Sequence, residues 1–220
     1  MGKSTKKTLN LRGKVLVLDQ PQVMGILNVT PDSFFSGSRT TSLAEAVERA
    51  GAMLEAGATF LDVGGYSTRP GAADVSPAEE ADRVLPVLDA LSRAFPDAHL
   101  SVDTFRAAVA RQAVAAGAVL VNDVSGGTLD TDMFSTVAKL GVPYVLMHMR
   151  GTPQTMTQLT TYDNLVPDVI AELQGRLAQL RALGQVDVLV DPGFGFAKTA
   201  AQNFRQASWP MPPVGCQAIQ

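Results

Sequence analysis

Short apolar runs that stop at a polar residue recur along the whole chain. The first is Val23 to Leu27, which Asn28 ends before a Thr-Pro-Asp-Ser loop. A continuous apolar run of this length is typical of a parallel strand covered on both faces. The same reading predicts further strands at residues 60–63, 100–103, 119–123, 144–147 and 188–191, and a short strand at residues 15–18 is expected to cover the bottom of the core.

Segments with helical periodicity separate these strands. Apolar residues recur every three or four positions, and glycines such as Gly57 and Gly117 stand where the helices should end. Regular alternation of strand and helix predicts a parallel α/β sheet, and its even repetition favours a (β/α)8 TIM barrel over an open doubly wound sheet. No G-x-G-x-x-G follows a strand, which disfavours the dinucleotide-binding form of the open sheet.

Six strand–helix units are predicted where a closed barrel has eight. We expect a polar N-terminal tail at 1–14, a partial barrel at 15–205 and an aberrant C-terminal tail at 206–220. That last segment contains three prolines and shows neither helical nor strand periodicity. An interrupted or frameshifted end is favoured over an unusual natural tail.

Composition indicates a protein that works on small molecules. The chain has 220 residues and a net charge of -3, which argues against a general nucleic-acid binder. No apolar stretch is long enough to span a membrane, and no apolar signal segment follows the basic start, so we expect a cytoplasmic protein. The single cysteine, Cys216, excludes an internal disulfide.

Polar residues end the predicted strands, and in a barrel these ends share one face. Any one of them could simply cap the next helix or anchor a turn. Together, their carboxylates and amides offer parallel hydrogen bonds to a planar group rich in N–H donors, so we expect this face to bind a flat heterocycle. The residues are Asn28, Asp62, Asp103, Asn122 and Asp191.

The two histidines do not indicate covalent or zinc chemistry. No Ser-His-Asp order is present, and no thiol stands near a base. His99 should lie at the opposite end of the barrel. His148 follows the fifth strand, where either a structural or a functional role is open.

Six motifs, in order, resemble those of dihydropteroate synthases from Val15 to about Arg205. The resemblance implies a pterin-binding TIM barrel that condenses 6-hydroxymethyl-7,8-dihydropterin pyrophosphate with p-aminobenzoate, with Mg²⁺, giving 7,8-dihydropteroate and pyrophosphate in folate biosynthesis. It also implies a sulfonamide target and, in full-length members, a homodimer. The motifs are NVTPDSF from Asn28, DVGG and STRPG from Asp62, SVDT from Ser101, NDVSGG from Asn122, MHMRG from Met147 and DPGFGF from Asp191.

The resemblance gives the matched residues roles. Asn28, Asp103 and Asp191 become the catalytic candidates, with Asn28 meeting the pyrophosphate and its Mg²⁺. Two loops would close over the site and form much of the p-aminobenzoate pocket, excluding water from a reactive carbon centre. The pterin would contact Asp103, Asn122, Asp191, Met147 and Phe196, and the p-aminobenzoate loops would contribute Pro31, Phe34, Thr68, Arg69 and Pro70.

Without the motifs, several of these residues have plainer explanations. Phe34, Phe196 and Met147 would be taken as core residues, Arg69 as a solvated charge, and Asp62 as a brace for the loops.

The chain departs from the family in two places. Tyr66 stands where the family commonly has an acidic or other residue. The Ser-Arg-Lys and Arg-x-His segments of the last two strands have no counterpart, so we expect weak or no activity. The alternatives are a methyltetrahydrofolate-type methyltransferase, a non-catalytic pterin-binding remnant and a misfolded fragment.

Overall fold

The computed structural model describes residues 7–30, 39–69 and 74–209. Three of the predicted site residues, Pro31, Phe34 and Pro70, lie outside the described residues. Their roles stay predictions.

A β-hairpin opens the described chain. Its strands are β1 (Thr8–Leu11) and β2 (Lys14–Val17), which pair antiparallel. The predicted N-terminal tail is therefore wrong for residues 8–14, whereas β2 confirms the strand expected at residues 15–18. Leu9 and Leu11 alternate with exposed residues and are only 4% and 3% exposed. Arg12-Gly13 makes the turn with φ of 53° and 93°, the left-handed backbone that a two-residue hairpin loop requires.

Six strands and six helices alternate through the rest of the described chain. The strands form one sheet in chain order, and each neighbouring pair is parallel. The predicted partial TIM barrel, with six of its eight strand–helix units, is thereby confirmed. The strands are β3 (Met24–Asn28), β4 (Phe60–Gly64), β5 (His99–Asp103), β6 (Leu120–Asp123), β7 (Tyr144–Met147) and β8 (Val188–Asp191), and the helices are α1 (Arg39–Glu55), α2 (Pro77–Ala94), α3 (Ala107–Ala115), α4 (Met133–Leu140), α5 (Leu165–Ala182) and α6 (Ala200–Ala207). None of the described helices is long and apolar enough to cross a membrane.

Helix α6 begins with a reciprocal capping box. The Thr199 hydroxyl accepts from the backbone N–H of Gln202 at 3.3 Å, and the Gln202 side chain accepts from the N–H of Thr199 at 2.8 Å. The helix continues past the predicted boundary at 205, and Gln206 is buried. The predicted aberrant tail is therefore wrong for its first two residues, and residues 210–220 lie outside the described chain.

The two-residue period of the strands separates two apolar cores. Side chains such as Val63 and Val121 face the surrounding helices in the larger core. Phe60 and Leu120 face the other way, into the barrel interior, where they pack with the leucines of β1. The hairpin thus fills the amino-terminal end of the barrel and leaves the carboxyl end, where TIM barrels place their active sites, for polar side chains.

We expect Leu9→Ala to lower the free energy of unfolding by about 2–4 kcal/mol, because it opens a cavity in the barrel interior. Val15→Ala, in the same hairpin at a position 67% exposed, is the matched control and should change it by less than about 0.5 kcal/mol. Urea unfolding of both variants measures this. Equal effects would show that the hairpin does not close the barrel.

Candidate active site

The predicted site residues gather at the carboxyl ends of the strands. The parallel register aligns Asn28 with Gly64, Gly64 with Asp103, and Asp103 with Asn122. On the far side of the sheet, Met147 is in register with Asp191. Five of the predicted residues are therefore brought to one end of the barrel.

Asp62 is placed differently from the prediction. It lies in the middle of β4, two residues before the strand ends, and is 2% exposed. Its carboxylate accepts from the Ser101 hydroxyl at 2.5 Å and from Asn122 Nδ2 at 2.8 Å. Burial raises the pKa of Asp62, and these two hydrogen bonds oppose the rise. Asp62 is thus a brace, as one interpretation of the sequence allowed, and the residue it orients is Asn122.

Gly64 leaves an opening between two candidate catalytic residues. A Cβ at this position would lie 3.2 Å from Asp103 Oδ2 and 3.4 Å from Asn28 Oδ1. The two oxygens therefore border the same small space in the barrel interior, and any side chain at 64 would crowd it.

Asp103 has the most perturbed surroundings of the predicted carboxylates. Burial raises its pKa well above the ordinary value, and the negative charges of Asp62, Glu80 and Asp123 raise it further. A carboxyl group in such a place gains from a ligand that offers N–H donors or positive charge. This supports the expectation of a donor-rich ligand.

Asp123 is next to Asn122 in sequence but faces the helices. Its carboxylate accepts from the Ser125 backbone N–H at 2.8 Å, the Gly127 N–H at 2.9 Å and the Tyr144 hydroxyl at 2.6 Å. It fixes the loop after β6 and takes no place in the barrel interior. The two neighbours are separated because adjacent side chains of a strand point to opposite faces.

The loop after β8 is folded tightly against the end of β7. Asp191 accepts from the Gly193 N–H at 2.7 Å. Phe196 is 8% exposed and packs in an apolar cluster with Met147 and Met149. The structure therefore brings together the two apolar residues that were predicted to contact the pterin ring.

Two charged residues in this region, Lys198 and Glu172, were missed by the sequence analysis. Lys198 is 8% exposed, and its ammonium group lies 3.1 Å from His148 Nδ1. The other ring nitrogen of His148 lies 3.1 Å from Glu172 Oε2, and Glu172 also pairs with Arg150. The only available signal was a lysine two residues after the end of the DPGFGF motif, which a sequence reading takes as a surface charge.

Tyr66 links three loops at the same end of the barrel. It is 7% exposed, its ring meets the Phe105 ring edge-on at 5.0 Å, and its hydroxyl accepts from Gln154 Nε2 at 2.8 Å. The two predicted residues that follow it are less enclosed: Thr68 is half-buried and Arg69 is exposed. Tyr66 therefore holds in place the loop that carries them.

None of the predicted site residues that the structure describes lies at the opposite end of the barrel. A cavity of about 170 Å³ there is lined by Lys14, Asp97 and His99, among others. His99 thus lies where the sequence placed it. In the part of the chain that the structure describes, no group of three or more His, Cys, Asp or Glu side chains could hold a metal ion.

Gly193→Ala should lower the free energy of unfolding by about 3 kcal/mol or more, because a Cβ would lie 2.0 Å from the His148 carbonyl oxygen and φ is +67°. Gly195 in the same loop is the matched control. Its φ is +82° but a Cβ would meet nothing within 4 Å, so Gly195→Ala should cost only about 1 kcal/mol. Denaturant unfolding separates the two, and similar losses would argue against tight packing of the loop on β7.

The buried His148 makes stability depend on pH in a defined window. Burial, followed by the charge of Lys198, lowers the pKa of His148 from 6.5 to about 4. Between these values the unfolded chain binds the proton and the folded chain does not, so stability falls as pH drops from 6.5 towards 4. By pH 5 the loss reaches about 2 kcal/mol.

In His148→Gln this contribution is absent. The drop in unfolding free energy between pH 7 and pH 5 should therefore be smaller than in the unsubstituted protein by about 2 kcal/mol. Urea titrations at the two pH values measure the difference. Parallel pH profiles for the two proteins would contradict a neutral buried histidine.

Known proteins are similar in sequence over most of this chain. The family model described as "Pterin binding enzyme" matches residues 24–208. The dihydropteroate synthase of Synechocystis sp. is 46% identical over 183 residues, which are 82% of this chain and 63% of that protein. The dihydropteroate synthase of Escherichia coli K12 is 43% identical over 195 residues, covering 88% of this chain and 68% of that protein.

The fold is similar to that of a solved enzyme of the same kind. The Xanthomonas albilineans dihydropteroate synthase with 4-aminobenzoic acid superposes with a TM-score of 0.84 at 42% identity, covering 93% of this chain and 73% of that one. The chain thus spans about two thirds of the length of the two relatives above. The family match over most of the chain, together with these identities, shows that the chain belongs to the dihydropteroate synthase family of pterin-binding enzymes.

Proposed function

We propose that this chain binds a dihydropterin and condenses it with p-aminobenzoate. The observation that carries the proposal is the convergence of Asp103, Asn122 and Asp191 at one end of the barrel. Their carboxylates and amide match the guanidine-like edge of a pterin, which presents several N–H donors in one plane. Relatives named dihydropteroate synthase support this choice over the methyltetrahydrofolate-type methyltransferase.

In the proposed reaction the substrate is 6-hydroxymethyl-7,8-dihydropterin pyrophosphate. The bond between its methylene carbon and the pyrophosphate oxygen breaks, and the amine nitrogen of p-aminobenzoate forms a bond to that carbon and loses a proton. The products are 7,8-dihydropteroate and pyrophosphate. The residues position the reactants, and no protein nucleophile is required.

Two apolar side chains complete the proposed pterin site. Met147 and Phe196 pack in one cluster beside Asp191, so a flat ring whose edge is bound by Asp191 would lie against them. Burial raises the pKa of Asp191, while the Gly193 hydrogen bond and the charge of Lys198 oppose the rise. A donor-rich ring would further favour the ionised carboxylate.

Asn28 is the proposed contact for Mg²⁺ and pyrophosphate. Its amide oxygen and the carboxylate of Asp103 border the space above Gly64. Hard oxygen donors suit Mg²⁺, which commonly binds through one or two protein oxygens and substrate phosphates. When bound, the ion would neutralise charge that develops on the leaving pyrophosphate. The site therefore fits a metal that is held largely by substrate.

The loop after β4 is proposed to form part of the p-aminobenzoate pocket through Thr68 and Arg69. Tyr66 anchors this loop, which supports a defined position for the two residues. The contributions of Pro31, Phe34 and Pro70 to the pocket, a homodimeric state and a cytoplasmic location remain predictions.

Turnover of labelled p-aminobenzoate in the presence of dihydropterin pyrophosphate and Mg²⁺ tests the function directly. Calorimetry with the pterin alone measures binding without turnover. Dihydropteroate formation supports the proposed enzyme. Pterin binding without turnover indicates a binding remnant, and methyl transfer from methyltetrahydrofolate to a corrinoid supports the other enzyme class. No pterin binding at all would overturn the proposal.

Asp191→Asn and Asp103→Asn should each weaken pterin binding about 10- to 100-fold, because an amide replaces a charged acceptor of N–H donors. Asp97→Asn is the matched control, since the Asp97 side chain is 99% exposed at the other end of the barrel, and its affinity should be unchanged. Calorimetric Kd values, with urea midpoints as a check on folding, give the answer. Unaltered affinity in both site variants would remove these carboxylates from the pterin site.

A further inference from the structure

Lys198 is a buried lysine whose donors are all used by the protein. Its ammonium group donates to the carbonyls of Gly193 at 2.9 Å and Phe196 at 3.0 Å, and it lies 3.1 Å from His148 Nδ1. An ammonium group has three N–H donors, and these three contacts account for them. All three acceptors are neutral, so the burial of this charge is not offset by a direct ion pair and costs stability.

The contact with Lys198 determines the tautomer of His148. Because an ammonium group can only donate, His148 Nδ1 must accept, and the ring proton must be on Nε2, facing Glu172. Burial acts to raise the pKa of Glu172, but the hydrogen bonds from Arg150 and the neighbouring positive charges of Arg150 and Arg176 together lower it. A chain of contacts therefore runs from Lys198 through His148 and Glu172 to Arg150.

Hydrogen bonds to two backbone carbonyls link Lys198 to the proposed pterin site. It binds the carbonyl of Gly193, while the N–H of the same residue donates to Asp191 Oδ1 at 2.7 Å. It also binds the carbonyl of Phe196, the residue whose ring is proposed to face the pterin. One ammonium group thus binds both the residue whose N–H holds the Asp191 carboxylate and the residue that carries the aromatic ring.

We propose that Lys198 is a positioning residue for pterin recognition, which holds Asp191 and Phe196 in place through the loop after β8 and places its positive charge near Asp191. The inference rests on the proposed function, because it requires the pterin to be the ligand of these two residues. Lys198 does not contact the ligand in this scheme.

The electrostatic part of this role follows from the charges around the two groups. The charge of Lys198 lowers the pKa of Asp191. The charges of Asp191, Glu172 and Arg150 in turn act on the pKa of Lys198. Burial lowers the pKa of Lys198 to about 8, so the ammonium form persists through neutral pH. Removing this charge raises the pKa of Asp191, and pterin binding should then be lost at a higher pH than in the unsubstituted protein.

Lys198→Met tests both the positioning of the loop and the effect of the lysine charge on Asp191. Pterin affinity at pH 7 should fall at least about 10-fold, since the hydrogen bonds of a charged donor are lost. The acid limb of the affinity profile, which is the pH at which pterin affinity falls on acidification, should move up by about one pH unit. Lys139→Met is the control for loss of a lysine, because Lys139 is exposed on α4, and it should change neither quantity. Calorimetry from pH 5 to pH 8 measures both.

Lys198→Gln separates geometry from charge and serves if the methionine variant does not fold. Its amide can still donate to a carbonyl, so affinity at pH 8 should recover in part, while the acid limb should stay shifted. A purely structural lysine would weaken binding without moving that limb, and this result would overturn the proposal.

Pterin binding by the unsubstituted protein distinguishes failure of the proposed function from failure of the proposed role of Lys198. If it does not bind pterin, the proposed function fails, and the role of Lys198 fails with it. If it binds pterin and Lys198→Met binds equally well with the same acid limb, the function stands and the role of Lys198 is refuted.

Discussion

The parallel register of the six strands is the constraint on which the rest of the structure depends. In a strand, neighbouring side chains point to opposite faces, and the register decides which residues of adjacent strands lie at one level. Asn122 therefore enters the barrel interior at the level of Asp103, while Asp123 turns to the helices and secures a loop. A slip of one residue in β6 would exchange these two roles.

Burial of carboxylates in this interior gives the site its chemical preference. The pKa values of Asp62, Asp103 and Asp191 are all raised, with burial as the first cause. The protein satisfies Asp62 with its own hydroxyl and amide donors. Asp191 receives one backbone N–H and lies near a lysine. A ligand that brings N–H donors would relieve the remaining electrostatic cost. The burial that destabilises these carboxylates in the free protein therefore also favours binding of such a ligand.

The sequence was sufficient for the strands and for the residues at their ends. Alternation and motif order were enough to place Asn28, Asp103, Asn122 and Asp191, because these depend on local periodicity and on the geometry of parallel sheets. The first strand of the hairpin was missed because two leucines in a lysine-rich segment form too short a pattern to read. Its burial comes from packing inside a barrel that the local sequence does not encode.

Contacts between residues that are far apart in the chain could not be predicted from a single sequence. Lys198 is read as a surface charge until the fold brings His148 close to it, fifty residues away in the chain. The same holds for Tyr66 and Gln154, which are eighty-eight residues apart. Such pairs leave no periodic signal, since their separation depends on how many strand–helix units lie between them.

The loop after β8 obtains its order from side-chain contacts and not from the sheet alone. In the part of the chain that the structure describes, β8 pairs only with β7. Yet Asp191 is fixed by Gly193, Gly193 packs against the His148 carbonyl, and Lys198 ties the loop to the contacts that reach α5. The pterin half of the proposed site can therefore be ordered without a second neighbour for β8, because its bracing lies on the side of β7 and α5. The proposed pyrophosphate site, at Asn28 on the other edge strand of the sheet, takes no part in these contacts.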